Sequence, residues 1–393
     1  MLDYPKIHLL KGKEISVRRK HHWIFSGAIG HKDEGLENGQ LVQVLSAKRE
    51  FLGVGHFQNG SIMVRLITFS NQKVDFEFWK ACLNKAYLLR KNLGLTDHPN
   101  TNVYRLIHGE GDGLPGLVID FYHGTAVIQA HTIGMHQHLE VICQALQELY
   151  GKELKAVFDK SAETLPKNLG MQNKLVFGEP ETHQVKENGC VFEIDWQEGQ
   201  KTGFFIDQRE SRQLLGSYSK GKKVLNAFCY SGGFSVYALL NGALQVDSID
   251  ISANAIALTH RNVELNTDFE GKHQAVVADV IKYIREIKED YDIVVLDPPA
   301  FAKNIKAKHN AVQAYKRLNV EALKHIKKGG LLFTFSCSQV VDKTLFNNTI
   351  TAAAMESGRT VKMLHFLSQP GDHPINIFHQ ETAYLKGLVL YVE

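Results

Sequence analysis

Short apolar runs that alternate with helical stretches fill the chain from about Cys190 onward. The runs predict buried strands, and stretches such as "SANAIALTHRNVELN" (residues 252–266) predict helices between them. Strand, helix and strand repeated in this way predict a parallel sheet with helices on both faces and right-handed crossovers. The strand candidates are "KVLNAF", "QVDSID", "QAVVA", "DIVVLD" and "LLFTFS". We therefore predict a doubly wound α/β domain over residues 188–393.

The first 187 residues carry different patterns. Up to residue 72, "QLVQVLS", "FLGVGHFQ" and "IMVRLITF" are β-rich runs separated by turn residues, which predicts a small β-barrel. From residue 73 to 187, strand candidates such as "GLVIDFY" and "TAVIQA" mix with a helix and the turn-rich segment "GEGDGLPG", which predicts an α+β domain. The helix is predicted within "DFEFWKACLNKAYLLRKNLG" from an apolar stripe at Phe78, Trp79, Cys82, Leu83, Tyr87 and Leu88. The chain is thus expected to form three domains, 1–72, 73–187 and 188–393.

Composition places the chain among globular proteins. It has 393 residues, 44% hydrophobic and 22% charged, and no apolar run of about 18 residues that would predict a membrane span. Its five cysteines are scattered and never spaced as CxxC, which is typical of reduced thiols in a cytoplasm. The 19 histidines show no HExxH spacing, so no metal is predicted. We expect a cytoplasmic protein whose start lacks the pattern of a signal peptide.

Positive charge is concentrated in the first 20 residues. Six basic residues and two acidic ones give this segment a formal charge of +4, whereas the whole chain carries +3. The bases run from Lys6 to Lys20, and the aromatic cluster "HHWIF" follows them. Such a basic patch suits a nucleic-acid backbone, with Arg18, Arg19, Lys20 and Trp23 as candidate RNA contacts. A solvated surface is the alternative that the charge pattern leaves open.

The first two strand candidates end in residues that suit a nucleoside ligand. Gly232 and Gly233 follow the first strand and allow a tight turn that opens a helix, but the pattern is not GxGxxG. A nicotinamide cofactor is therefore disfavoured. Asp250 ends the second strand, 17 residues after Gly233, near the spacing expected of an acid that binds ribose hydroxyls. A ribose-binding acid without a pyrophosphate loop favours S-adenosylmethionine.

The remaining strand ends carry two acids and a cysteine. Asp279 follows the third strand and is either an acceptor for an adenine amino group or a helix N-cap. Asp297 ends the fourth strand before two prolines, which place its carboxylate on a stiff, extended loop. Cys337 follows the fifth strand between two serines. It is either a buried small hydrophobe or a nucleophile, and the strand pattern alone does not decide between them.

Several motifs together resemble one enzyme family. "YSGGF", "SIDIS", "RNVELN", "LDPPAF" and "FTFSCS", in this order and spacing, look like the ribosomal RNA large subunit cytosine-5 methyltransferases. "KTGFFIDQRESR" resembles the segment of that family that borders the methionine end of the cofactor, and "KHHWIFSGAI" is similar to the opening of its PUA domain. Lys20 and His22 stand where Gly and Pro are usual, and Ala300 stands where Lys is common.

The resemblance implies a fold, an activity and a set of site residues. It implies a PUA-like RNA-binding domain and a Rossmann-like class I methyltransferase domain that forms 5-methylcytosine in large-subunit ribosomal RNA. Cys337 would be the covalent nucleophile, and Asp297 would hydrogen-bond the cytosine ring. The residues expected to bind S-adenosylmethionine are Lys201, Gln208, Arg209, Phe228, Tyr230, Ser231, Gly232, Gly233, Asp250, Asn262, Asp279 and Asp297. The expected partner is ribosomal RNA, with no membrane, and a homodimer is left open.

Two other functions stay open at this point. Base amino-group methyltransferases use an acid–Pro–Pro–aromatic loop and need no thiol, but here Phe301 comes one residue late, after Ala300. A non-catalytic RNA-binding ribosome assembly factor would not need the full set of polar strand ends. Cys229 is the rival thiol within the glycine turn, where packing is the expected role. Cys82 and Cys143 are predicted to lie in helix cores, and Cys190 in a strand.

Overall fold

The chain folds into two compact units. The computed structural model describes residues 3–266, 269, 271–287, 290–302 and 304–393. Unit 1 comprises Met1–Val185, Ile194–Phe204 and Gly371–Thr382, and unit 2 comprises Lys186–Glu193, Phe205–Pro370 and Ala383–Glu393. In the described part of the chain, no helix combines the length and apolar character that crossing a membrane requires.

Unit 1 begins with a mixed six-stranded sheet of order β2-β6-β5-β4-β1-β3. Its strands are β1 (Lys6–Leu9), β2 (Trp23–Phe25), β3 (Ile29–Lys32), β4 (Leu41–Leu45), β5 (Phe51–Phe57) and β6 (Ile62–Thr68), and α1 (Ile15–Arg18) follows β1. β1 runs parallel to β4, and the other pairs are antiparallel. The apolar residues that alternate along these strands form a core of their own that includes Ile7, Val42 and Val64.

A second, five-stranded sheet of unit 1 has the order β11-β10-β9-β8-β7. Its elements are α2 (Phe76–Asn92), β7 (Val103–His108), β8 (Leu117–Tyr122), β9 (Thr125–Ala130), α3 (Ile133–Gln137), α4 (Leu139–Tyr150), β10 (Ala156–Asp159) and β11 (Lys174–Gly178). The predicted stripe on α2 is largely right, since Phe78, Trp79 and Leu83 are buried, but Leu88 is 47% exposed. Ala86 and Arg90 are the buried residues in this part of α2. The Arg90 guanidinium donates two hydrogen bonds to the Asp112 carboxylate.

Unit 2 contains a seven-stranded sheet of order β16-β15-β14-β17-β18-β20-β19. Its elements are α5 (Arg209–Tyr218), β14 (Lys223–Ala227), α6 (Gly233–Leu240), β15 (Gln245–Asp250), α7 (Ala253–Glu264), β16 (His273–Val277), α8 (Val280–Glu286), β17 (Ile293–Leu296), α9 (Lys308–His325), β18 (Gly330–Ser336), α10 (Lys343–Ser357), β19 (Val361–Leu367) and β20 (Lys386–Val392). Within this sheet, β14 to β18 run parallel to one another, and β20 is antiparallel to both of its neighbours, β18 and β19. All five predicted strands of the doubly wound sheet are confirmed.

A two-stranded ribbon, β12 (Gln184–Glu187) and β13 (Cys190–Glu193), precedes this sheet in the chain. Short 3-10 helices lie at Ser26–Ala28, Gly109–Asp112, Gly151–Glu153, Lys167–Leu169, Ile206–Gln208, Ile305–Ala307 and Gln380–Thr382. Glu187 on the ribbon is fully buried and accepts from Arg212 Nε at 2.9 Å and Arg212 Nη2 at 2.7 Å. The Tyr237 hydroxyl donates to the same carboxylate at 3.1 Å, so one buried acid ties the ribbon to α5 and α6.

The two units divide the chain differently from the three predicted domains. The six-stranded and five-stranded sheets lie in one unit because Val54 and Ile67 of the first sheet belong to the core of the second. Ile194–Phe204 and Gly371–Thr382 also belong to unit 1, although they fall within the predicted third domain. The domain boundaries 1–72, 73–187 and 188–393 therefore stay a prediction.

Candidate active site at the carboxyl ends of the parallel strands

A strained turn joins β14 to α6. Phe228, Tyr230 and Gly232 have φ angles of 62°, 46° and 74°, and two of these residues are not glycine. The Cys229 N–H donates to the Ile249 carbonyl at 3.1 Å, which fixes the turn to β15. Non-glycine residues in the left-handed region cost of order 1–3 kcal/mol each and gather at ligand sites. The predicted glycine turn is therefore strained at Phe228 and Tyr230 as well, which is typical of a ligand site.

Both glycines are required by close approaches. A Cβ on Gly232 would lie 2.7 Å from Thr259 Cγ2, and one on Gly233 would lie 2.9 Å from Arg212 Cδ. Thr259 also donates through Oγ1 to the Tyr230 carbonyl at 2.8 Å. The turn is therefore packed from beneath by α7 and α5, and the first N–H groups of α6 are presented at its open side.

Asp250 is held beside this turn at the end of β15. Its Oδ2 accepts from the Tyr230 N–H at 3.1 Å, and its Oδ1 accepts from the Ser252 N–H at 2.9 Å. A carboxylate has about four acceptor positions, so these two bonds leave it able to accept from a ligand's hydroxyls. The geometry brings Asp250 and the glycine turn together, as the sequence predicts for a nucleoside site.

Asn262 shapes the same turn from α7. It is fully buried, its Nδ2 donates to the Ser231 carbonyl at 2.9 Å, and its Oδ1 accepts from the Glu193 N–H at 2.7 Å. Both ends of the amide therefore bond to backbone groups, and Asn262 positions Ser231 within the turn. A direct contact of Asn262 or Ser231 with the cofactor stays a prediction.

Asp279 lies at the end of β16 and is the N-cap of α8. Its carboxylate accepts from the Lys282 N–H at 3.0 Å, and the residue is exposed. The capping role that the sequence left open is confirmed. A contact between Asp279 and an adenine amino group stays a prediction.

The segment before α5 meets the loop after β17. Gln208 is buried, and its Nε2 donates to Asp297 Oδ2 at 3.1 Å, so two residues predicted to bind the cofactor lie together. Arg209 is also buried, with its Nε 3.6 Å from Glu187 Oε2. Lys201 has a φ of 52° and belongs to unit 1, unlike the other predicted cofactor residues. Its role stays a prediction.

Cys337 lies in the turn after β18, next to the tip of β17. It is partly exposed, and the turn is closed by the Ser338 hydroxyl, which donates to the Ala302 carbonyl at 2.7 Å. Burial raises the pKa of Tyr315 to about 12, and the charges of Cys337 and Asp297 add to this effect. The Tyr315 hydroxyl is therefore close enough to Cys337 and Asp297 for the charge of each to affect its pKa. These two groups lie at the ends of the neighbouring strands β18 and β17.

The other four cysteines have the environment of inert thiols. Burial raises the pKa of Cys82 to about 11 and the pKa of Cys190 and Cys229 to about 12, and it also raises that of Cys143. Cys190 lies in β13 and Cys143 is buried in α4, as predicted. Cys229 Sγ is 3.5 Å from Thr259 Oγ1 under the turn, in keeping with a packing role. A high pKa leaves little thiolate, which is the nucleophilic form.

Two residues of the basic patch that runs from Lys6 to Lys20, Arg18 and Lys20, contact other side chains of unit 1. Arg18 forms an ion pair with Glu50, and Lys20 Nζ lies 4.6 Å from the centre of the Phe69 ring. Trp23 is partly buried, and its Nε1 donates to Glu110 Oε1 at 2.7 Å. Arg18, Arg19 and Lys20 are all exposed. The patch is accessible, and its contact with RNA stays a prediction.

One group of side chains in the described ranges has the composition of a metal site. His21, His379 and Glu381 have ligand-type atoms within 4.8 Å of one another. Nδ1 of His21 lies 3.2 Å from both the N–H and the carbonyl of Trp23, and Nδ1 of His379 accepts from the His22 N–H at 3.4 Å. Nε2 of His21 lies 3.5 Å and Nε2 of His379 lies 3.7 Å from Oε2 of Glu381.

Sequence reasoning missed a lysine and a tyrosine near Cys337. Lys386 stands opposite Ser336 in the β18–β20 pairing, and the Tyr384 hydroxyl donates to Asp207 Oδ2 at 2.6 Å. The sequence did contain a sign of Lys386, because this lysine stands at the start of the apolar run "LKGLVLYV". A charged side chain in a buried strand needs a polar partner.

The strand order and the site together define a class of protein. The parallel strands β16-β15-β14-β17-β18 follow the doubly wound pattern, but β20 is inserted antiparallel between β18 and β19. A strained turn after β14, an acid after β15 and an acid before two prolines after β17 gather at one edge of this sheet. These features are those of an S-adenosylmethionine-dependent methyltransferase.

Comparisons with known proteins give the same class. Residues 104–390 match the S-adenosylmethionine-dependent methyltransferase family, and residues 7–69 match the PUA-like domain family. The chain is 38% identical over 394 residues to ribosomal RNA large subunit methyltransferase I of Aeromonas hydrophila, with 98% of each chain covered. A protein described as a SAM-dependent methyltransferase from Streptococcus mutans has a TM-score of 0.84 at 24% identity, over 98% of this chain and 99% of that chain. A methyltransferase structure in complex with SAH matches with the same TM-score of 0.84, identity of 24% and coverage of 98% and 99%.

The chain therefore belongs to the ribosomal RNA large subunit methyltransferase I family, and it combines a PUA-like domain with an S-adenosylmethionine-dependent methyltransferase domain. It is an S-adenosylmethionine-dependent methyltransferase. The α/β fold class, the PUA-like domain and the cofactor predicted from the sequence are confirmed.

Proposed function

We propose that this enzyme forms 5-methylcytosine in large-subunit ribosomal RNA with Cys337 as its covalent nucleophile. One observation carries the proposal: Cys337 is a partly exposed thiol at the end of β18, beside the Asp297 tip of β17. The other four cysteines have raised pKa values, and Cys229, which lies in the turn after β14, packs against Thr259. Methylation assays on ribosomal RNA, with mass mapping of the product, would test the proposal.

The residues at the strand ends fit S-adenosylmethionine. The buried Oε1 of Gln208 has no hydrogen-bond partner among the described residues. Buried polar atoms are almost always bonded, and the ammonium at the methionine end of the cofactor would supply the donor. Asp250 would accept from the ribose hydroxyls, and the turn from Phe228 to Gly233 would present backbone N–H groups to the ligand.

The proposed mechanism needs a thiolate and an acid at one place. S-adenosylmethionine supplies an electrophilic methyl group when bound, but C5 of cytosine is a poor nucleophile because the ring is aromatic. Addition of Cys337 Sγ to C6 makes C5 an enamine carbon that can attack an electrophile. Asp297 would hydrogen-bond the N3 and amino edge of the ring and stabilise the charge of the adduct. Removal of the C5 proton by a base then expels the thiolate and restores the ring.

The amino-group alternative is weakened by the position of Phe301. In that reaction the aromatic residue after the two prolines stacks on the flipped base. Here the Phe301 ring packs edge-on against Tyr315, with centroids 4.7 Å apart and an interplanar angle of 61°. Phe301 is thus engaged with α9 as a packing residue, which favours the thiol mechanism.

Replacing Asp250 by alanine is expected to weaken binding of S-adenosylmethionine by about 1–3 kcal/mol, because two ribose hydroxyls lose their acceptor. Isothermal titration calorimetry measures the change. A matched control is Asp290→Ala, since Asp290 is an exposed acid of unit 2 whose partner is Lys223. Unchanged affinity in Asp250→Ala would remove this residue from the cofactor site.

The basic patch is proposed to bind ribosomal RNA through its phosphates. Replacing Arg18, Arg19 and Lys20 together by alanine is expected to lower the slope of log affinity against log salt by about one for each phosphate that the patch no longer neutralises. Filter binding at several salt concentrations measures the slope. Lys85→Ala with Lys91→Ala, two exposed lysines of α2, is the control. A triple variant with the wild-type slope would show that the patch is only a solvated surface.

The cytoplasm is the proposed location, because ribosomal RNA and reduced thiols are both found there. A homodimer is the oligomeric state we propose to test. Sedimentation equilibrium on the full chain would distinguish monomer from dimer directly.

A further inference from the structure

A buried lysine braces the turn that carries Cys337. Lys386 is 9% exposed and begins β20, where it pairs with Ser336 of β18. Its Nζ donates to the Ser338 carbonyl at 2.6 Å and to the Tyr384 carbonyl at 2.6 Å. The first of these acceptors is one residue beyond Cys337. Lys386 therefore holds the end of β18 to the start of β20 at the position of the thiol.

The same turn is fixed from its other side. The Ser338 N–H donates to Ser336 Oγ at 3.4 Å, and the Ser338 hydroxyl donates to the Ala302 carbonyl at 2.7 Å in the loop after β17. Cys337 lies between these two serines and is partly exposed, whereas both serines are buried. The turn thus presents one side chain outward and fixes the residues on either side of it.

Hydrogen bonding to two carbonyls does not explain why this residue is a cation. An ammonium has three donors, and its charge is costly to bury unless negative charge lies nearby. Burial lowers the pKa of Lys386 to about 8, and the charges of Cys337 and Asp342 partly oppose this effect. Asp342 is the N-cap of α10 and already accepts from the Leu345 N–H at 2.9 Å. The ammonium therefore predominates at neutral pH and interacts favourably with an ionised Cys337.

We propose that Lys386 is a positioning residue that holds the Cys337 turn and stabilises Cys337 as a thiolate ready to add to a pyrimidine ring. The thiol loses its proton to solvent, and the buried ammonium balances the charge left on Sγ. A nearby cation is one of the environments that make a cysteine reactive. In the part of the chain that the structure describes, the charged or titratable groups around this site include Asp297 on the loop after β17, Tyr315 on α9 and Asp342 on α10. The inference rests on the proposed function for the role of the thiol.

The test is the pH dependence of Cys337 alkylation by iodoacetamide in the full chain without RNA. Peptide mass spectrometry follows Cys337, and Cys82 in the same sample serves as the reference thiol. Lys386→Gln keeps a donor but loses the charge, and Lys386→Arg keeps the charge. We expect the midpoint of Cys337 to rise by about 1–3 pH units in Lys386→Gln and to stay near wild type in Lys386→Arg. Superimposable profiles of Lys386→Gln and wild type would overturn the inference.

Two further readouts separate structure from electrostatics. Methyl transfer by Lys386→Gln should fall at least about tenfold at pH 7 and recover as the pH is raised, because a thiol whose pKa is one unit higher has about one tenth of the thiolate. If Lys386→Gln does not fold, the wild-type profile decides: a midpoint at or above about 8.5, the value for a free cysteine, contradicts the inference. An active Cys337→Ala enzyme would refute the proposed function and leave the alkylation result standing.

Discussion

Replacing Cys337 by alanine is expected to abolish methyl transfer while the fold and the affinity for S-adenosylmethionine stay unchanged. The side chain is partly exposed in a turn whose bonds are made by Ser336, Ser338 and Lys386, so its removal leaves that network intact. Serine should fail as well, because a hydroxyl is far less nucleophilic than a thiol at neutral pH. Turnover, circular dichroism and calorimetry measure the three properties.

Cys82→Ala is the matched control, since Cys82 is also partly exposed but lies on α2 in unit 1. This variant should keep full activity. RNA that contains 5-fluorocytosine should trap the wild-type enzyme covalently, because fluorine does not leave C5 as a proton does. Methylation by Cys337→Ala, or a trapped peptide with another cysteine, would refute the thiol mechanism. Amino-group transfer would form no adduct, so the same experiment separates the two methyltransferase chemistries.

Replacing Glu187 by alanine is expected to lower the free energy of unfolding of unit 2 by about 3–5 kcal/mol. Glu187 is fully buried and is the bidentate partner of Arg212, which is itself 3% exposed. Removing one partner leaves an uncompensated charge in the interior, which costs more than the pair contributes. Arg212 also supports the cofactor turn, since its Cδ lies 2.9 Å from the position of a Cβ on Gly233. Affinity for S-adenosylmethionine should therefore fall together with stability.

Hydrogen exchange of α5 and α6 amides in increasing urea measures the stability of this unit. Glu193→Ala is the control, because Glu193 lies in β13 of the same ribbon and pairs with Arg261 at 3.1 Å on the surface. An exposed pair of this kind contributes about 0–1 kcal/mol. Equal stability of the Glu187 and Glu193 variants would show that the buried pair does not anchor the ribbon.

The sequence by itself determined the parallel core of unit 2 and the residues at its strand ends. Five apolar runs matched β14 to β18, since buried strands are local features of composition and length. Gly232 and Asp297 were found for a similar reason: a tight turn needs glycine, and a carboxylate before two prolines is conspicuous at the end of an apolar strand.

Tertiary structure alone decided what surrounds those residues. β20 joins β18 from a distant part of the chain, which brings Lys386 to the turn of Cys337, and no local pattern specifies that pairing. The bonds of the Asn262 amide to the Ser231 carbonyl and the Glu193 N–H were also not predictable from local sequence, and its contact with the cofactor stays a prediction. The reason is physical: local preferences choose strands and turns, whereas buried polar groups take their partners from whichever segments the fold brings together.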